Sequence, residues 1–176
     1  FILRVATGVT SLKTVGMPGS YSITAAGAER SNSILRVAAD GFTVGDNVDI
    51  NVSGDTYIYL AIRDGGGAST SRYFRTGSWL GDGLNAKQIS HGQETAWQPT
   101  IAWAFRGEAS AGSKVALRIP ENTGTESLDI DGTGAGLPTN EIVAFHSNGF
   151  TVDSGFNVLD IPYYYLAWRE DANTAY

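Results

Sequence analysis

The sequence predicts an all-β chain built from antiparallel β-sandwich units, of jelly-roll or concanavalin-like type, with one unit duplicated. Three observations lead there. Apolar residues alternate with polar or small ones over short runs, which is the period of a strand with one buried face. No segment of helical length carries an apolar stripe at i, i+3, i+4 and i+7 that glycine does not interrupt. One long phrase is also written twice: GFTVGDNVDINVSGDTYIYLAIRD from Gly41 to Asp64 returns as GFTVDSGFNVLDIPYYYLAWRE from Gly149 to Glu170.

The strands follow from the alternation. Between Tyr57 and Arg63 the residues Ile58, Leu60 and Ile62 share one face, and Tyr57, Tyr59 and Arg63 the other. In the later phrase Tyr164, Leu166 and Trp168 take the first set's places, and Tyr163, Tyr165 and Arg169 the second. In Thr100 to Arg106 the large residues Ile101, Trp103 and Phe105 lie together and are expected to face the core. Further strands are expected at Ile2–Val5, Tyr21–Thr24, Ile34–Ala38, Val48–Val52, Lys87–Ser90, Val115–Ile119, Ser127–Ile130 and Glu141–His146. Turn clusters such as GMPGS, SGD, GDG, PENTG and SNG separate them. Short strands at this spacing indicate a sandwich or barrel rather than alternating βαβ units.

Aligning the two copies divides the chain into a first unit at 1–66, a second at 72–171 and a tail at 172–176. The glycine- and serine-rich DGGGASTS, Asp64 to Ser71, is the expected seam. Asp40-Gly41 matches Asn148-Gly149, and Leu3-Arg4-Val5 is matched to Leu117-Arg118-Ile119. On that alignment GDGLNAKQISHG and QPTIAWAFR have no earlier counterpart, so the first unit is expected to lack its opening strands. Phe1 is not expected to be the translation start.

Charge and composition exclude several chemistries. There are no cysteines, so disulfides and thiolate metal sites are absent. The 12 Lys and Arg against 18 Asp and Glu give a net charge of −6 with no basic run, which disfavours nucleic acid as a partner. No apolar run approaches the roughly 20 residues that span a bilayer, so membrane insertion is not expected. The two histidines, His91 and His146, each precede a turn, a place for bonding a backbone carbonyl, and neither stands near a nucleophile motif. No pair of carboxylates is singled out by context. A non-enzymatic chain is therefore expected.

The remaining candidates are for binding. Trp79 and Trp97 stand beside glycine or proline at loop edges and read as surface aromatics for an interface or a sugar-stacking platform, whereas Trp103 and Trp168 read as core. Tyr163 and Tyr165 join the same candidate set. So do Arg63 and Arg169, each followed by an acid at the same place in both copies. Asp46 and Asp49 with Asn51 and Asp55, and Asp129 with Asp131, put oxygens near glycine turns. They are weak calcium candidates, because neither stretch completes a calcium loop. No other cofactor is indicated.

These phrases, TGSWLGDGLNAKQISHG, QPTIAWAFR, IVAFHSNGFTV and YYYLAWRE, resemble a domain of structural proteins of tailed bacteriophages, marine ones especially. The likeness runs from Phe74 to Asp171 as one unit and from Phe1 to Asp64 as a partial one. Where that family opens with Pro-Asp and an aromatic strand, Thr100 here follows Pro99, and the strand ends at Arg106. The resemblance implies a concanavalin-type sandwich in a virion protein: a tail, fibre or capsid-decoration component. Its implied partners are further copies of itself, other virion proteins and host glycans at attachment. A lectin-like carbohydrate-binding module is the alternative. An oligomer is expected, with Phe1–Val5 near the subunit contact, because open sheet edges recruit further strands.

Overall fold

The computed structural model describes residues 2–6, 9–13, 20–22, 29–30, 32–38, 40–46, 51–55, 57–62, 73–92, 96–107, 115–129 and 141–169. For residues up to 30, Ile58 and Asp129 it describes the backbone course alone. In chain order the first part gives β1 (Ile2–Ala6), β2 (Val9–Lys13), β3 (Ser20–Ser22), β4 (Glu29–Arg30), β5 (Ile34–Val37), β6 (Phe42–Val44) and β7 (Ile58–Ala61). The second gives β8 (Phe74–Leu80), β9 (Lys87–Ser90), β10 (Ile101–Arg106), β11 (Val115–Arg118), β12 (Leu128–Asp129), β13 (Ile142–His146), β14 (Gly149–Val152) and β15 (Pro162–Trp168). Among the described residues a single 3-10 turn, Ser154–Phe156, precedes β15. The chain is all-β, and every strand pairing among the described residues is antiparallel.

The second part has the layers of a sandwich. A five-stranded sheet in the order β12-β11-β10-β15-β8 is joined to a three-stranded sheet, β13-β14-β9, by one apolar core. Trp79, Tyr163, Tyr165, Ala102 and Ala104 enter that core from the first sheet, and Ile89, Phe150 and Val152 from the second. On β10 it is the alanines, not the large residues, that face this core: Ala102 and Ala104 are wholly buried, while Trp103 is half-buried on the opposite face. The large residues expected to face the core meet a second apolar cluster on the other face instead, with Phe105 buried in it and Trp103 packed against it, while Ile101 belongs to neither cluster. The neighbouring strands already fill the space with Tyr163, Tyr165 and Trp79, so small residues are needed on β10 between them.

The opposite face of the same sheet carries its own cluster of Phe105, Val115, Tyr164 and Leu166. Ile62, Phe74, Trp103 and Trp168 pack against it. β15 is thereby buried on both sides, and five consecutive residues, Tyr163 to Ala167, are buried. A strand covered on both faces reads as a continuous apolar run rather than an alternation. Full burial of Leu166 alone contributes about 1.5–3 kcal/mol.

β8 is not among the strands expected from the sequence. Gly77 is interior to the strand because the Tyr165 ring lies over it: a Cβ there would stand 2.6 Å from the ring's Cε1 and Cζ. A glycine inside a strand commonly marks such an approach.

In the first part a five-stranded sheet, β4-β3-β2-β1-β7, accompanies the hairpin β5–β6. Its β1–β2, β1–β7 and β2–β3 pairings match those of β10–β11, β10–β15 and β11–β12 in register, whereas β3–β4 has no counterpart among the described residues. Leu3 faces Leu12 and Leu60, as Trp103 faces Leu117 and Leu166. Leu12 faces Tyr21, as Leu117 faces Leu128. In the hairpins Ile34 faces Val44, Arg36 faces Thr43 and Val37 faces Phe42. Their counterparts are Ile142 with Val152, Ala144 with Thr151 and Phe145 with Phe150, and the same register shift falls after the first pair. The Gly45 amide donates to the Ser33 carbonyl, and the Asp153 amide to Glu141.

This register corrects the sequence alignment. Leu3-Arg4-Val5 holds the place of Trp103-Ala104-Phe105, not of Leu117-Arg118-Ile119, so β10 has a positional counterpart in β1. Among the described residues β8 and β9 have none. β1 is also internal, between β2 and β7, so among the described residues the sheet's edges lie at β4 and β7 rather than at Ile2–Val5. The expected strand at Val48–Val52 lies mostly outside the described residues, as do the seam at Asp64–Ser71 and the tail at 172–176. Asn51 and Val52 are not in a strand.

Candidate interaction surface

Four of the aromatic candidates sit in the core. Trp79 is 9% exposed and stacks on Tyr163, with ring centres 4.9 Å apart and planes 9° apart. It also meets Phe150 edge-on at 6.1 Å. Trp97 is 4% exposed and lies on the His91 ring at 4.1 Å, with Tyr73 perpendicular at 6.3 Å. The surface reading of Trp79 and Trp97 is therefore corrected: strand alternation on β8 turns Trp79 inward, and the loop carrying Trp97 and the buried Pro99 folds over the core. Tyr163 and Tyr165 are also buried, each with its hydroxyl partnered. The Tyr163 hydroxyl accepts from the Val158 amide at 3.1 Å, and that of Tyr165 donates to the Ser90 carbonyl at 3.4 Å.

Both histidines bond backbone carbonyls, His91 Nε2 to Trp97 O at 2.8 Å and His146 Nε2 to Phe150 O at 3.1 Å. In each case the carbonyl only accepts, so Nε2 carries the proton. Burial holds the His91 pKa below its ordinary 6.5 by disfavouring the charged ring.

Arg169 closes the end of β15. Its amide donates to the Tyr73 carbonyl at 2.8 Å, and its guanidinium lies 5.4 Å from the centre of the Tyr73 ring. Arg63 lies outside the described residues, as do Asp49 and Asp131, while Asp46 is exposed and Asp129 is placed in β12 by its backbone alone. Among the described residues no group of three or more His, Cys, Asp or Glu stands together to hold a metal ion. None of their helices is long and apolar enough to cross a membrane.

What the structure does present is a fixed apolar surface. The exposed large apolar side chains among the described residues fall into two groups. One is Leu80, Leu84, Val158 and Leu159, at 57%, 66%, 38% and 60% exposure. These residues flank the loop joining β8 to β9 and the segment leading into β15, two stretches tied together by polar groups. Asn157, wholly buried, donates from Nδ2 to Asp82 Oδ1 at 2.6 Å and to the Leu84 carbonyl at 2.9 Å, while its main-chain carbonyl accepts from the Gly83 amide at 2.8 Å. Lys87 donates to Asp82 Oδ2 at 2.6 Å and to the Leu80 carbonyl at 3.1 Å. The Leu84 amide reaches Asp82 Oδ1 at 3.0 Å.

Together these donors, Lys87 foremost, hold the Asp82 carboxyl at about 2, below its ordinary 3.8. These bonds tie the loop to the segment leading into β15, and Leu84 and Leu159 stand exposed on the two stretches. The sequence shows GDGLNAK only as a turn cluster. The partner that fixes it, Asn157, is distant in sequence and carries no local signal.

The second group is Leu35, Val44, Val52, Tyr59 and Leu60, all from the first part. Tyr59 is 62% exposed and Leu60 50%, on the strand at the sheet edge. No protein-family model, no curated protein and no solved structure matches the chain.

Proposed function

We propose that the chain is a non-enzymatic structural protein of a phage particle, a tail, fibre or capsid-decoration component at the virion surface that works through protein–protein contacts and host attachment. The phage class rests on the resemblance of the phrases between Phe74 and Glu170. The contact role is carried by one observation: Leu80, Leu84, Val158 and Leu159 are held exposed by the buried clamp of Asn157 on Asp82 and Leu84. An exposed apolar group with a polar rim marks an interaction site, because leaving it in water is unfavourable. Its partners in this reading are further copies of the chain and other virion proteins.

The lectin-like alternative rested on Trp79 and Trp97, and both are core residues. Loss of glycan binding on Trp79→Ala or Trp97→Ala would report unfolding rather than a sugar platform, and no other observation favours that reading.

Light scattering on the purified chain at micromolar concentration tests the contact role. Association into a defined oligomer is expected, and a monodisperse monomer sinks it. The neighbours of the gene test the class: capsid and tail genes alongside support a virion protein, and a setting of metabolic genes counts against it.

A further inference from the structure

We propose that His91 is an acid-sensitive latch on the segment 96–99: with a neutral ring it holds Trp97 down on the sandwich core, and on protonation it releases the segment and uncovers the apolar interior beside Tyr73. The inference stands whether or not the chain belongs to a virion. It starts from how the ring is held. His91 follows β9 and is buried, and its amide donates to the Asn148 carbonyl at 3.0 Å, which fixes the backbone there. The ring lies flat on the Trp97 indole, with centres 4.1 Å and planes 16° apart, and Nε2 donates to the Trp97 carbonyl at 2.8 Å. One side chain thus meets both the ring and the main chain of the residue it secures.

Trp97 is what the latch keeps closed. It belongs to the core cluster that holds Ile89 and Phe150, and Tyr73 packs against that cluster with its ring perpendicular to the indole. Beyond the segment, Thr100 is anchored separately: its amide donates to the Trp168 carbonyl at 3.0 Å. Movement of 96–99 therefore leaves the start of β10 in place.

The second proton decides the balance. Nε2 already carries one, so the hydrogen bond survives protonation; what changes is that a charge arises in a buried place, at a cost in lost hydration. Among the described residues the charged or titratable groups that face the ring are Arg75 on β8 and His146 on β13, and a positive charge on either repels another. The indole face attracts a cation and offsets part of this cost. Burial nevertheless sets the net direction and keeps the folded value below the ordinary 6.5. The sign follows. Once opened, the ring regains its ordinary value, so the closed form is fully favoured above 6.5 and loses ground as the pH falls below it.

The indole N–H groups of Trp97 and Trp79 supply the readout. Both are buried with no hydrogen-bond partner among the described residues, so burial alone shields them from exchange with solvent. Trp79 is stacked on Tyr163 in the same core and serves as the reference for the pH dependence of exchange itself. In the full chain, exchange at Trp97 relative to Trp79 is expected to rise by about 5-fold or more as the pH is lowered from about 7.5 to about 5. His91→Gln keeps an N–H for the Trp97 carbonyl but takes up no proton, and is expected to hold the ratio level. His146→Gln is expected to keep a rise. If His91→Gln does not fold, Arg75→Met gives the second measurement: His91 is intact, one repelling charge is gone, and the rise is expected to shrink by about 2-fold or more. Three outcomes overturn the proposal. One is a level ratio in the unsubstituted chain, which leaves His91 a structural histidine only. The second is a rise that persists in His91→Gln or vanishes in His146→Gln, which assigns the acid response to another group. The third is an undiminished rise in Arg75→Met.

Discussion

Asp82 binds three donors with two oxygens, and Lys87 has the largest share in lowering its pKa to about 2. A carboxyl whose folded pKa lies below its unfolded value stabilises the fold above the unfolded value, here near 3.8. That stabilisation is lost as pH falls through about 2. We therefore predict that a carboxyl carbon NMR titration places Asp82 near 2 and that Lys87→Met moves it clearly upward. An unmoved midpoint would assign the effect to the loop amides and Asn157 instead. At this scale the sequence was a poor guide. Trp79 and Trp97 stand beside glycine or proline, which reads as surface, and only the three-dimensional path of those loops turns the rings inward. His91 and His146 were easier, because a histidine before a turn has a carbonyl within reach.

Strand faces were legible wherever one side of a strand meets water, and misleading where both sides are covered. β10 shows why: Trp103 and Phe105 are the larger residues, yet Ala102 and Ala104 occupy the sandwich interior, because the rings of Tyr163, Tyr165 and Trp79 already fill it. β8 was hidden by Gly77, whose purpose lies in Tyr165, far along the chain. The equivalent glycines make a paired prediction about elements. Gly149→Ala drives a methyl into the backbone of β9 at Ile89, where nothing flexible can yield, and is expected to destabilise by about 3 kcal/mol or more. Gly41→Ala, with open space around it, is expected to change stability by about 0.5 kcal/mol at most. Midpoints of urea denaturation check both, and equal losses would mean that β6 is flanked as closely as β14.

At the scale of the molecule, the all-β antiparallel class was readable because alternation and turn spacing are summed over many segments, so single misreadings do not alter it. The surface was not readable. Which leucines end up outside depends on a clamp between Asp82 and Asn157, and such long-range hydrogen bonds leave no period in the sequence. The surface also decides how the chain assembles, since two apolar groups are open: Leu80, Leu84, Val158 and Leu159 on the second part, and the β7 edge with Tyr59 and Leu60 on the first. A charge at a contact is desolvated on association, whereas the same charge on free surface stays hydrated and leaves the fold intact. The double substitution Leu84→Asp with Leu159→Asp is therefore expected to weaken self-association by about 10-fold or more, equivalent to about 1.4 kcal/mol. The melting temperature at low protein concentration is expected to hold within about 2 °C. Sedimentation velocity over a dilution series reads the first quantity and thermal denaturation the second. If Leu60→Asp dissociates the oligomer while the double substitution does not, the contact runs along the β7 edge, and the loop leucines face a different partner.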